Sequence, residues 1–85
     1  ALAAAERDQA AARVRAERDR QVLAHAERVV AMSTRGYREG AFPLTTVLEA
    51  QRSARDAFRA YVQDLAALRR AQSAAALARS VGGPP

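Results

Sequence analysis

An all-α chain, folded as an antiparallel two-helix coiled-coil hairpin, is what this sequence predicts. Three observations predict it. The 85 residues hold no Gly or Pro before Gly36, then Gly36, Gly40 and Pro43 in quick succession, then none until Gly82. Ala, the best helix former, dominates both long uninterrupted stretches. Apolar or small residues recur in both stretches at a seven-residue period, which keeps one seam facing a partner and implies a left-handed supercoil.

The elements follow in order: a first long helix over 1–36, a hairpin tip over 37–43, a second long helix over 44–80, and a Gly/Pro stop segment over 81–85. At 1.5 Å per residue, each helix of roughly 35 residues is about 50 Å long. In the first helix the stripe is Leu2, Ala16, Leu23, Val30 and Tyr37, flanked by Ala5, Ala12 and Ala26 and interrupted by Gln9, Asp19 and Ser33. In the second, Leu44, Phe58 and Leu65 form one row and Val47, Ala54, Tyr61, Leu68 and Ala75 the next, with Leu48 and Val62 widening the face. These faces are broader than one partner covers, so the pair is expected to assemble with further helices into a bundle.

The turn is a matter of backbone chemistry. Gly36 and Gly40 bracket the end of the first helix, where Gly permits a left-handed cap. Pro43 suits the first turn of the second helix, and Phe42 before it is pushed towards extended geometry. Thr46 and Glu49 have capping-box spacing, although Pro43 argues that the helix starts a few residues earlier. The turn sets the register: Tyr37 is expected near Leu44 and Val47, Val30 near Gln51 and Ala54, Leu23 near Phe58 and Tyr61, and Ala16 near Leu65 and Leu68. Surface pairs of opposite sign, Glu17–Arg13, Glu27–Arg20, Asp56–Arg52 and Asp56–Arg59, add roughly 0.2–0.5 kcal/mol each at most.

Composition bounds the function. Aromatics are 5% of the chain, namely Tyr37, Phe42, Phe58 and Tyr61. So few large side chains fill a thin inter-helix seam, not a deep core. Without cysteine there is neither a disulfide framework nor a thiolate metal site. No run approaches the roughly 20 apolar residues of a membrane helix. Ala1 to Ala5 run straight into Glu6, Arg7 and Asp8, which is no secretory signal and reads as the middle of a helix, so the chain is expected to be a fragment of one larger domain. The net charge of +5 comes from 14 arginines against 9 acids. The excess is spread over both halves and makes no clustered nucleic-acid patch. His25 stands alone, with no second ligand one turn away, so no metal site is expected. No nucleophile lies near a base, there is no phosphate loop, and no acid pair falls in a plausible cleft. No enzyme activity and no cofactor are expected.

The segment around the turn is more specific than a turn requires. The run Gly36-Tyr37-x-x-Gly40-x-x-x-Leu44-x-x-Val47-Leu48-Glu49-Ala50-Gln51-Arg52, followed by Ala54-Arg55 and Tyr61, resembles the second structural repeat of the TolC-type outer-membrane efflux factors. Phe42-Pro43-Leu44 after the glycine looks closest to their heavy-metal, Czc-type branch. The resemblance covers about residues 30–83. It implies a trimeric channel in the outer membrane of a Gram-negative bacterium, with this hairpin in the periplasmic tunnel. It further implies docking to a periplasmic adaptor (membrane fusion protein), which links the channel to an inner-membrane pump, for export of metal cations or small toxic compounds.

Carried over by position, Gly40, Phe42, Pro43, Leu44 and Thr45 become tip or adaptor contacts, and Thr46, Glu49 and Arg52 line the tunnel entrance. Gly40 takes the tip glycine position and Glu49 an entrance acid. Thr46 stands where some members carry a second acid, so the resemblance leaves at most a single carboxylate ring, which would attract cations. The plain readings stand beside these: Glu49 as a first-turn acid or capping-box partner, Gly40 and Pro43 as turn chemistry alone. An adaptor-type hairpin and a generic coiled-coil scaffold for protein–protein assembly are the alternatives. The adaptor tip pattern of an Arg followed four residues later by Leu is not met from Arg28, Arg35 or Arg38. A DNA-binding basic hairpin would show steep salt dependence.

Overall fold

The computed structural model describes residues 1–81, and these form two helices, α1 (Leu2–Arg38) and α2 (Leu44–Val81), packed side by side along their length. The pair is 13 Å across its Cα atoms, and its radius of gyration is 19.2 Å. A compact domain of this length would have about 12 Å. The rod shape follows from the sequence: nothing breaks either helix, and no third element exists among the described residues to fold back on. α1 continues through Gly36 and Tyr37 to Arg38, two residues beyond the end read from the glycines, because Glu39 still keeps αR backbone angles and Gly40 is where the backbone turns left-handed. Val81 is the last residue of α2. The rest of the stop segment, 82–85, lies outside the described residues.

The seam is narrow and lined by small residues. The buried positions are Ala12, Ala16, Ser33 and Gly36 on α1, and Val47, Ala50 and Ala75 on α2. Ala75 is wholly inaccessible, and no large side chain is fully buried. Between these, Leu23, Ala26, Val30, Ala54, Ala57, Tyr61, Asp64, Leu68, Ala71 and Ala78 are half-buried and continue the period. The seven-residue rule is therefore kept, with one of the two rows of α2 differing from expectation. The row Val47, Ala54, Tyr61, Leu68, Ala75 faces α1. Its companion is Ala50, Ala57, Asp64, Ala71, Ala78, while Leu44 and Phe58 of the expected row are exposed, at 48% and 56%. Alanine lets two backbones approach and close-pack, which a Leu or Phe row would prevent. Tyr37, expected on the seam, is exposed as well, and Gly36 takes the inward place.

The register is as expected at two levels, whereas Phe58, expected beside Leu23, is exposed. Val30, Gln51 and Ala54 line one groove between the helices, and Ala16, Tyr61, Leu65 and Leu68 line another. Thr34 satisfies its hydroxyl on the Val30 carbonyl at 2.8 Å, a common device for a helical threonine.

The ion pairs differ in detail from those expected. Glu17 pairs with Arg20, which follows it, at 2.7 Å, and not with Arg13, which precedes it. An acid N-terminal to its base is the better-aligned order on a helix. This bond, more than the bare charge of Arg20, holds the Glu17 carboxyl below its usual range. Asp56 reaches Arg59 at 3.9 Å, and Arg35 reaches Glu39 at 3.2 Å. Among the described residues, Glu27–Arg20 and Asp56–Arg52 form no bridge. All three observed pairs are solvent-exposed and contribute little to stability.

Candidate functional site

The tip is built from three residues with separate tasks. Gly40 has φ of +79°, where a side chain is strained, and it is the one described residue with positive φ. With Gly40 left-handed, the Ala41 amide donates to the Gly36 carbonyl at 2.7 Å and the Gly40 amide to the Tyr37 carbonyl at 3.1 Å. This is the Schellman arrangement, which satisfies the orphan carbonyls of the helix end. The Phe42 amide adds a longer bond to the same Gly36 carbonyl, at 3.3 Å.

Gly36 then serves a second purpose. A Cβ at this position would lie 3.0 Å or less from three carbons of the Phe42 ring. The ring occupies the space that the missing side chain leaves, so Phe42, though 40% exposed, is anchored against the last turn of α1. Pro43 follows and its carbonyl accepts the Thr46 amide at 3.1 Å, which starts α2 at Leu44.

That start point corrects the plain readings of Thr46 and Glu49. Thr46 lies inside α2, so it is not a cap, and no acid stands in the first turn. Glu49 is in the second turn, where neither the capping box nor the helix-end charge accounts for it. Gly40, Phe42, Pro43, Leu44 and Thr45 are all exposed at the extremity of the rod, Thr46 is half-buried, and Glu49 and Arg52 are exposed just below. Thr46 and Glu49 share an open groove of about 460 Å³ with Val22, His25, Val29 and Ser33 of α1. Arg52 is not part of it. No group of three or more His, Cys, Asp or Glu that could hold a metal occurs among the described residues.

The fold also creates an acid pair that spacing does not reveal. The Asp19 carboxyl of α1 is raised from its ordinary value, first by a hydrogen bond to Asp64 of α2 and then by lost solvation. Both are half-buried, and Asp19 Oδ2 is shut off from solvent with no donor beside it. Choosing the bulky row of α2 as the seam hides this pair. The signal was present in the strict alternation Ala50, Ala57, Asp64, Ala71, a small-residue row with one charge in it.

Outside the seam, α2 carries a discontinuous bulky stripe, with Leu44, Leu48, Phe58 and Val62 exposed. On α1, Val14, Val22 and Met32 are exposed. No described helix is long and apolar enough to cross a membrane. Compared with known protein families, curated proteins and solved structures, the chain matches none.

Proposed function

We propose that this chain is an assembly hairpin, and specifically the periplasmic tunnel hairpin of an outer-membrane efflux channel. Its tip would dock a periplasmic adaptor and its flanks would pack on copies of itself in a trimer. The observation that carries the reading is the tip. A Schellman turn capped by Phe42 on Gly36 presents Gly40, Pro43, Leu44 and Thr45 at the end of a long rod, followed at once by the Val47-Leu48-Glu49-Ala50-Gln51-Arg52 run. Glu49, which has no capping or first-turn role, is free to act as the entrance acid, one per protomer, drawing cations towards the pore. The exposed Leu and Phe on α2 supply the lateral contacts, since large apolar groups left in water mark interaction surfaces.

Sedimentation tests the assembly half of this reading. The chain is expected to associate at high concentration, and Leu48→Glu with Phe58→Glu is expected to return it to a monomer without loss of helix. A wild-type chain that stays monomeric at every concentration refutes it. The channel half is tested in the gene. A second, related hairpin encoded upstream, with strand-like segments between the two, is required, and a complete reading frame without one refutes it.

A further inference from the structure

The two flanks of the rod differ. At about 3.6 residues per turn, each inward row of α2 has its own outer neighbour. Beside the row of Val47, Ala54 and Tyr61 runs Leu44, Gln51, Phe58 and Leu65, with Leu48, Arg55 and Val62 beyond it. Beside the row of Ala50, Ala57 and Asp64 runs Thr46, Ser53, Ala60, Ala67 and Ala74, with Glu49 and Asp56 beyond it. One flank of α2 is thus bulky and the other small. The grooves between the helices divide the same way. Gln51 and Leu65 line grooves on the bulky flank, whereas Thr46 and Ser53 line the groove of about 460 Å³ on the small one.

That groove has Val22 and Val29 of α1 along one side and Ser53 of α2 along the other, with Ser33, Ala50 and Ala57 between them. Ser33 and Ala50 are buried, so the depression reaches the seam itself. The opposite flank carries what would fill it: Leu48 and Phe58 are each more than half exposed. α2 lines the groove from Thr46 to Ala57, about 16 Å at 1.5 Å per residue. Leu48 falls within that span and Phe58 just beyond its end, so stripe and groove occupy the same height of the rod. The charges also match. Glu49 lines the groove and Asp56 follows in the same row, whereas Arg55 lies in the stripe between Leu48 and Val62. Arg55 forms no ion pair among the described residues.

We infer that the groove receives the bulky stripe of a second copy of this chain, parallel to the first and in register with it. Leu48 and Phe58 of one copy enter beside Val22, Val29 and Ser53 of the next, as knobs into holes. Arg55 then comes level with Asp56 of the next copy, and opposite charges fix the register. The contact is heterologous, because two unlike surfaces meet. Two copies leave one stripe and one groove unfilled, so assembly continues until a ring closes. A two-fold pairing, stripe against stripe, would leave the groove empty and stop at two copies. The groove's role rests on the self-assembly proposed above, to which it adds the surface that receives Leu48 and Phe58.

The experiment uses two variants at exposed positions. Ser53→Arg fills the groove and keeps the stripe. Leu48→Ala with Phe58→Ala removes the knobs and keeps the groove. Sedimentation equilibrium, at a concentration where association is saturated, is expected to show three or more copies for the wild-type chain. Each variant alone is expected to be monomeric with its helical circular dichroism unchanged, and their equimolar mixture to form a 1:1 pair and nothing larger. A wild-type assembly that stops at two copies overturns the groove's role and leaves self-assembly standing. So does association of Ser53→Arg at wild-type strength, or a mixture that forms no pair. A wild-type chain that never associates overturns both.

Discussion

Replacing Gly36 by Ala is expected to change sign with the residue at position 42. Gly36 is helical, with φ outside the left-handed region, so on backbone grounds alone Ala should stabilise α1 by about 0.5–1 kcal/mol. The added methyl, however, lands 3.0 Å or less from three ring carbons of Phe42, among them Cγ, so rotating the ring about its own axis does not clear it. The whole ring must swing off α1. Full burial of a Phe side chain is worth roughly 1.5–3 kcal/mol. With 40% of Phe42 still exposed, about three-fifths of that, roughly 1–2 kcal/mol, is at stake. The expected balance in the wild-type background is therefore a net loss of roughly 0.5–1 kcal/mol. In the Phe42→Ala background the obstruction is gone and Gly36→Ala should stabilise by about 0.5–1 kcal/mol. A double-mutant cycle in urea, followed by helical circular dichroism at one protein concentration, reads the coupling as roughly 1–2 kcal/mol. If Gly36→Ala stabilises equally in both backgrounds, the ring does not rest on Gly36 and the account of the tip is wrong.

Two further substitutions probe the turn and the seam. Gly40→Ala places a side chain at φ of +79° with open space around it, so the cost is conformational alone, roughly 1–2 kcal/mol in the same urea assay. Ala75→Leu asks a wholly buried seam position to hold three more carbons, and should cost roughly 1–3 kcal/mol by thermal or urea melting, despite the gain in hydrophobicity.

Much of this fold was legible in the residues, for identifiable reasons. Gly and Pro punctuate the chain in one place, so the hairpin and its tip could be read directly. The turn then fixed the register, and Val30 with Ala54 and Ala16 with Leu68 fell where expected. What misled was size. Ranking positions by hydrophobic bulk put Leu44, Phe58 and Tyr37 on the seam, whereas close approach of two helices selects Ala50, Ala57 and Gly36. That one rotation of the face also hid Asp64, which falls on the inward row. The capping-box spacing of Thr46 and Glu49 makes no cap: the Pro43 carbonyl accepts the Thr46 amide, and α2 begins at Leu44, the early start that Pro43 argued for. The entrance role proposed for Glu49 rests on resemblance and position, because an exposed carboxylate has no partner whose spacing betrays its task.

The turn at Gly40 has a mechanical consequence. Ala1 and Leu2 lie beside Leu77 and Val81 at the opposite end of the rod, so tension applied through the two helix ends would load one layer of the seam at a time. The pair would peel, each layer giving way before the next is strained, with the Schellman turn the last to part. Refolding would run in reverse, because contacts beside the turn close the shortest loops. A rod held this way is strong against sideways load and weak against splaying at its open end, where Leu77 and Val81 stand exposed. Whatever covers those residues would set how readily the rod comes apart.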